Sequence, residues 1–428
     1  MKFEPKPENN FESFLETYFA RCREKAPWIE VIAGKWRFED LIPGMSDFDT
    51  RFICKDGMSD EDWCRMSMAV GSVHLQMCCE QPELARILEH LPGVNPTWEE
   101  LTQEPFYYPE YRQWTLYRSV NSPMVEQAQR ILDQREWGDK DEFFYLNKFL
   151  TYYGPYHRGI DPPINLGKYE NKYPLHSRAM HYFTPPVQAA VALMEKRPLR
   201  GKLEALREAK RLFPNIKVFD QIFSLLECHY ERPELYEDPM LLTFEQELQE
   251  ALTQIWGKIR PAITCVPNAE KMEAPQIKSA LRQVPVSPLM ALFSSSKFCR
   301  LFKGRMYFYV NAPEHFDNIW LIQNELRRVG DMFYRTPFRI YWKTVHNEEL
   351  QDVDEITKRM RVEGLLDQQR TGAVLAFSRL APGTWEPGTE IETARAITDV
   401  FDDLFIALNT VKRDLTRIVL EREGGEQK

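Results

Sequence analysis

The apolar positions sort this chain into a few short extended stretches near its start and long helices after them. Following Asn10, a favourable N-cap, Phe11, Phe14, Leu15, Tyr18, Phe19 and Cys22 recur at i, i+3, i+4 and i+7. That spacing predicts a helix over about 11–24. Trp28–Ile32 reads as a short strand ended by Ala33-Gly34. Beyond the Pro43-Gly44 turn, Asp47 to Cys54 alternates with period two, which predicts a second strand. Phe48, Thr50, Phe52 and Cys54 then share one face, and Asp47, Asp49, Arg51 and Ile53 the other. Ser59 and Asp62 form a capping box ahead of a helical stripe of Trp63, Met66, Val70, Val73 and Met77. These apolar residues, with Met68, read as core.

Tyr152 to Pro186 is rich in Tyr, His, Pro, Gly and Lys, and predicts a long ordered loop or lid. Thr184 before Pro186 reads as the cap of a helical middle, with segments near 186–196, 200–212, 217–229 and 243–257. Thr243 and Gln246 suggest another capping box. Prolines 261, 267, 275, 285 and 288 predict irregular connecting chain. A small second α/β unit is expected next: strand Met306–Val310, helix 314–330, strand Phe338–Val345. A long helix from Ile391 to Leu420 closes the chain, with Ile397, Val400, Phe401, Leu404, Leu408, Val411, Leu415 and Ile418 on its stripe. The expected class is therefore α/β (α+β), with a largely helical remainder. The expected division is 1–150, 151–260 and 261–428.

Composition narrows the functional classes. With 428 residues, 43% of them hydrophobic and 28% charged, the chain is long enough for two or three packed units. A net charge of −9 disfavours a long nucleic-acid footprint. Eight scattered cysteines form no Cys-x-x-Cys pair, and no apolar run reaches membrane-spanning length. The opening MKFEPKPENN lacks a signal-peptide core, so a reduced cytoplasmic setting is expected.

Asp47-Phe48-Asp49 carries the strongest chemical signal. Side chains two apart on a strand share a face, so both carboxylates can converge and call for a hard cation such as Mg²⁺ or Mn²⁺. Upstream, a strand ends in Ala33-Gly34-Lys35, and eleven residues separate Gly34 from Ser46. This arrangement resembles the polymerase-β-type nucleotidyltransferase superfamily over residues 10–80. Arg37, Asp40, Leu41, Ile42 and Gly44 also resemble the tRNA-nucleotidyltransferase form of the segment. The resemblance implies a nucleotidyltransferase-like N-terminal domain that moves a nucleoside monophosphate from an NTP, with ATP the first choice, to a hydroxyl. It implies metal ligation by Asp47 and Asp49, and nucleotide contacts from Gly34, Lys35 and Ser46. It also implies a third carboxylate as general base, for which Glu110 is chosen over Glu104 and Asp161. A small-molecule or protein acceptor is expected ahead of a short RNA end. Lys35 stands where the family usually has Ser or Gly, and Thr50 where an apolar residue is common.

Residues 274–313 contain six basic side chains and no acid. Beside Ser294-Ser295-Ser296, Lys297 and Arg300 are expected to contact phosphate across an interdomain groove from the aspartates. Tyr156 to Asp161, with Lys168, Tyr169, Lys172, Tyr173, His176, Arg178 and His181, is a further cationic and aromatic segment suited to stacking on a base or to an interdomain seam. No P-loop or Gly-x-Gly-x-x-Gly motif occurs. Two other readings compete. One is an Asp-x-Asp nucleotide-sugar glycosyltransferase, which the mere 46 residues before Asp47 count against. The other is a non-catalytic interaction protein on a degenerate nucleotidyltransferase scaffold.

Overall fold

The computed structural model describes residues 11–35, 47–82, 84–88, 90–117, 123–153, 175–231, 240–284, 287–312, 318–380 and 388–425. Helix α1 (Phe11–Lys25) leads into β1 (Ile29–Gly34), β2 (Thr50–Cys54) and α2 (Asp60–Glu80). The expected Ser59–Asp62 capping box heads α2, with both of its reciprocal hydrogen bonds made. A short helix α3 (Trp98–Thr102) and a 3-10 turn at Pro109–Gln113 precede β3 (Thr115–Leu116). The three strands form an antiparallel sheet in the order β2-β1-β3. Asp47 to Asp49 precede β2 rather than belonging to it, although the Lys35 amide still donates to the Asp49 carbonyl at 3.0 Å.

The period-two pattern of β2 decides what each sheet face meets. Phe48, Phe52 and Cys54 are buried with Ile29 and Ile32 of β1 and with Phe14, Phe19, Trp63 and Met66 of α1 and α2. On the opposite face, Val31, Ala33 and Ile53 pack with Trp98, Leu101, Tyr111 and Trp114. Arg51 is buried on this side, where the 3-10 turn brings Glu110 to it.

The rest is helical. Helices α4 (Met124–Asp133), α5 (Asp139–Tyr152), α6 (Leu175–Glu195), α7 (Lys202–Leu212), α8 (Val218–Glu231), α9 (Met240–Ile259) and α10 (Ala274–Gln283) follow in order. A second core joins α5 to α10 through residues such as Phe149, Phe183, Phe219, Leu252 and Ile277. The lid expected over Tyr152–Pro186 lies largely outside the described residues, but its last part is helix. Pro185 and Pro186 sit inside α6, so Thr184 is no cap. Thr243 lies inside α9 and likewise begins nothing.

The expected second α/β unit is absent among the described residues. Helices α11 (Pro288–Cys299), α12 (Phe302–Asn311), α13 (Asn318–Val329), α14 (Thr336–His346), α15 (Val353–Val362), α16 (Gln368–Leu380) and α17 (Glu390–Gly425) occupy this region. Met306–Val310 and Phe338–Val345 are both helical. Phe338, Tyr341 and Trp342 are buried at i, i+3 and i+4, a helical stripe that a short aromatic run conceals. Pro275 and Pro288 occupy first turns of α10 and α11, where their missing N–H costs nothing, so they start helices instead of interrupting them. The α11–α17 region contributes Leu292, Phe302, Phe308, Phe401 and Leu408 to the same core as α1 and α2. No described helix is long and apolar enough to cross a membrane.

Candidate functional site

The end of the β1–β2 hairpin collects charge. Lys35 follows β1, Asp49 precedes β2, and Arg51 shares the Asp49 side of the strand by the two-residue period. The Asp49 carboxylate lies 3.6 Å from the Lys35 ammonium and 3.6 Å from the Arg51 guanidinium. Arg51 Nε donates to Glu110 Oε1 at 2.9 Å, and its Nη1 donates to the Thr50 carbonyl at 2.8 Å. Arg51 and Glu110 are almost fully buried, whereas Asp49 and Lys35 remain about a quarter exposed at 25% and 22%. The cluster is therefore internally paired on one side and open on the other.

Its electrostatics follow from that geometry. Burial acts to raise the Asp49 carboxyl, but Arg51, Lys35, His90 and Lys202 outweigh it and hold the group well below the usual carboxylate range. Burial likewise opposes the charge on Glu110, and Arg51 and Lys35 reverse the balance and lower it. Lys35 is raised, because Asp49 and Glu110 overcome its desolvation. Lys148 of α5 is also in electrostatic reach. Desolvation first, and Lys35 second, push it down to about 7 against the pull of Glu110 and Asp49.

Several expected placements need correction. Gly34 is fitted to its neighbours in the fold: a Cβ there would stand 2.3 Å from the Phe48 ring and 2.7 Å from the Tyr117 hydroxyl. Packing alone accounts for the glycine. Asp47 is half-buried but takes no part in the Asp49 pairings described above, and Ser46 lies outside the described residues, as do Arg37, Asp40, Leu41, Ile42, Gly44 and 154–174. Glu110 does reach the Asp49 neighbourhood, with Arg51 between them.

Lys297 and Arg300 are buried rather than open to a groove. Arg300 is buried and grips Glu100 with two hydrogen bonds of 2.6 Å, while Lys412 reaches the same carboxylate at 3.2 Å. Trp63 covers the Arg300 guanidinium at 4.1 Å. Lys297 is 0% exposed, with its ammonium 3.6 Å from the centre of the Tyr108 ring and 4.7 Å from that of Phe293. Arg305, also of the basic stretch, pairs with Glu325 at 2.9 Å. The acids that neutralise Arg300 and Arg305 lie outside the stretch, Glu100 200 positions away and Glu325 20, so these two cations do not mark a surface. Ser296 donates to Asn409 and Ser295 to the Ala291 carbonyl, so neither is an open anion donor.

In this arrangement the side chains do not fit a two-metal centre. Two basic groups already stand at 3.6 Å from Asp49, and Arg51 holds Glu110, so a divalent cation would meet fixed positive charge. Among the described residues no three His, Cys, Asp or Glu side chains gather as a metal-ligand set. Sequence reasoning missed Lys148, Lys202 and His90, which reach the cluster from remote elements and carry no local signal. Arg51 was visible: it shares the two-residue alternation of Asp49. Comparison with family models, curated proteins and solved structures finds no match to this chain.

Proposed function

We propose that the chain binds the phosphate groups of a nucleotide at the cluster around Asp49, on a nucleotidyltransferase-like hairpin in which Arg51 stands between the acids. The observation that carries this reading is the pair of basic groups at Asp49: the Lys35 ammonium and the Arg51 guanidinium each stand 3.6 Å from its carboxylate, and Lys35 is partly exposed. Arg51 is also bound to Glu110, which fixes it on the inner side of the cluster while Lys35 stands on the open side. Phosphate oxygens suit such a group of donors. The resemblance of Gly34-Lys35 and Ser46-Asp47-Phe48-Asp49 to nucleotide-handling hairpins favours a nucleoside triphosphate over inorganic phosphate.

Thermal-shift titration with ATP, GTP, CTP and UTP tests this reading. At least one nucleotide is expected to raise the melting temperature without divalent metal, and Lys35→Ala is expected to remove the effect. Equal shifts in wild type and Lys35→Ala would refute it.

A second reading keeps the metal-dependent transferase, with an NMP passed to a small-molecule or protein hydroxyl. The observation in its favour is that Glu110 comes from a remote part of the chain into the neighbourhood of Asp49; Arg51 must leave Glu110 before a cation can bind. Its mark is pyrophosphate release that requires Mg²⁺ or Mn²⁺ and disappears in Asp49→Asn; no release with any of the four nucleotides counts against it.

A further inference from the structure

One side of α5 lies at the edge of the helical core, its aromatic residues only partly buried. Phe143, Phe144, Asn147 and Lys148 recur at three- to four-residue spacing and face Met290 and Ser294, which are four apart on α11. Tyr108 closes a third side. The three walls enclose a cleft of 560 Å³ whose surface is predominantly apolar, within the size range of small-molecule sites. The Tyr108 and Phe144 rings meet edge to face, 5.3 Å apart at 81°, and make a corner against which a flat ring can lie.

The polar groups of the cleft are few and specific. The Lys148 ammonium donates to Gln188 Oε1 at 2.7 Å, and Gln188 is itself fixed by its amide to the Leu199 carbonyl at 3.0 Å. One of the three ammonium donors is thereby used, and Lys148 also lines the cleft. Lys140 at the rim is paired with Glu104 at 2.7 Å, and Asp139 stands at the same rim. Among the described residues of the cleft, one available cation beside an acid suits a monoanion better than a phosphate dianion.

We propose that this cleft binds a small aromatic or heteroaromatic carboxylic acid, its ring against Tyr108, Phe143 and Phe144 and its carboxylate on Lys148. Asn147 and Ser294 stand within the same cleft as further hydrogen-bonding groups. This site is distinct from the phosphate cluster, whose charges reach Lys148 only electrostatically. The groups that act on Lys148 are Lys35, Glu110 and Asp49 from the hairpin side, and Asp139 and Lys140 at the rim.

Calorimetric titration of the full chain with indole-3-acetate and its neutral isostere indole-3-acetamide decides the matter. At pH 6.5 the acid is expected to bind at least about tenfold more tightly, the worth of one charge-assisted contact. That preference is expected to fade as the pH rises through about 7, where Lys148 loses its proton. Lys148→Met should abolish the preference while both compounds still bind weakly, and Ser294→Trp, which fills the cleft, should remove both. Lys35→Ala should cost nucleotide binding and retain indole-3-acetate binding at pH 6.5, with the pH at which the preference fades moved upward by loss of the Lys35 charge. Equal binding of the two probes by wild type, no binding of either, or a preference retained in Lys148→Met overturns the proposal. Should Lys148→Met fail to fold, undiminished indole-3-acetate binding by folded Ser294→Trp overturns it equally.

Discussion

Lys297 carries an amine into a place with no oxygen to receive it. Among the described residues its ammonium has no hydrogen-bond partner, and aromatic rings surround it. Contact with the Tyr108 face returns part of the lost hydration, but desolvation prevails and pushes the group down to about 7. The unfolded chain therefore binds more protons than the folded one between about 7 and the ordinary 10.5, so this lysine makes stability rise with pH across that window. Lys297→Met, similar in length and apolar, is expected to stabilise the protein at pH 7 by on the order of 1–3 kcal/mol. The gain should shrink toward pH 10, which urea unfolding at the two pH values measures. Glu142 behaves in the opposite sense. Burial would raise it, but Lys196, the Cys265 and Thr264 amides and the Thr264 hydroxyl lower it to about 2. Its contribution is complete above the ordinary 4.5 and is lost as pH falls toward 2. Acid unfolding of Glu142→Gln should therefore show a shallower fall in stability over that interval than wild type; identical acid profiles would remove Glu142 from the account. Gly34→Ala is expected to destabilise whether or not nucleotide is present, since Phe48 fills the space.

Two glycines set the approach of α2 to α12. A Cβ on Gly304 would stand 2.0 Å from the Ser67 carbonyl oxygen, and one on Gly71 would stand 2.6 Å from the Gly304 carbonyl oxygen. The Gly304 amide also donates to the Ser67 hydroxyl at 2.9 Å. Both obstacles are backbone, so neither helix can yield without losing the packing around it. Gly304→Ala is expected to cost about 2–4 kcal/mol or prevent folding, as an overpacked core does. Gly372 of α16 is the control: nothing lies within 4 Å of its Cβ position, so Gly372→Ala should be neutral or stabilise by up to about 1 kcal/mol. Equal effects of the two substitutions in denaturant unfolding would contradict this account of the crossing. The same crossing explains why Met306–Val310 is helical. Its apolar run fits a strand as well as a helix by local pattern, and contact with α2 through Gly304 favours the helix.

At the scale of the whole molecule, the two ends of the chain share one core. Phe14, Phe19 and Met66 belong to the same buried cluster as Phe302, Phe401, Leu408 and Leu415. A fragment of residues 1–153 would expose that face, so it is expected to lack a cooperative thermal transition, whereas the full chain shows one. Cooperative unfolding of the fragment alone would mean that α11–α17 are dispensable to it.

Several features were legible from residue order because their causes are local. The α1 stripe, the Ser59–Asp62 capping box, the presence of strands β1 and β2 and the long α17 depend on periodicities of 3.6 and 2 or on a cap three residues away. The facing of Asp49 and Arg51 belongs to the same class, since a two-residue period fixes it. Long-range complementarity decided the rest. Glu100 reaches Arg300 across 200 positions and Glu110 reaches Arg51 across 59, so an arginine of a stretch without acids of its own is paired from elsewhere. The cleft, likewise, exists only where α5 meets Tyr108 and α11. Sequence by itself determined which faces of several elements are apolar and where those elements begin; tertiary structure alone decided which charges meet, because burial makes an unpaired charge costly and the fold supplies most partners from wherever the chain returns.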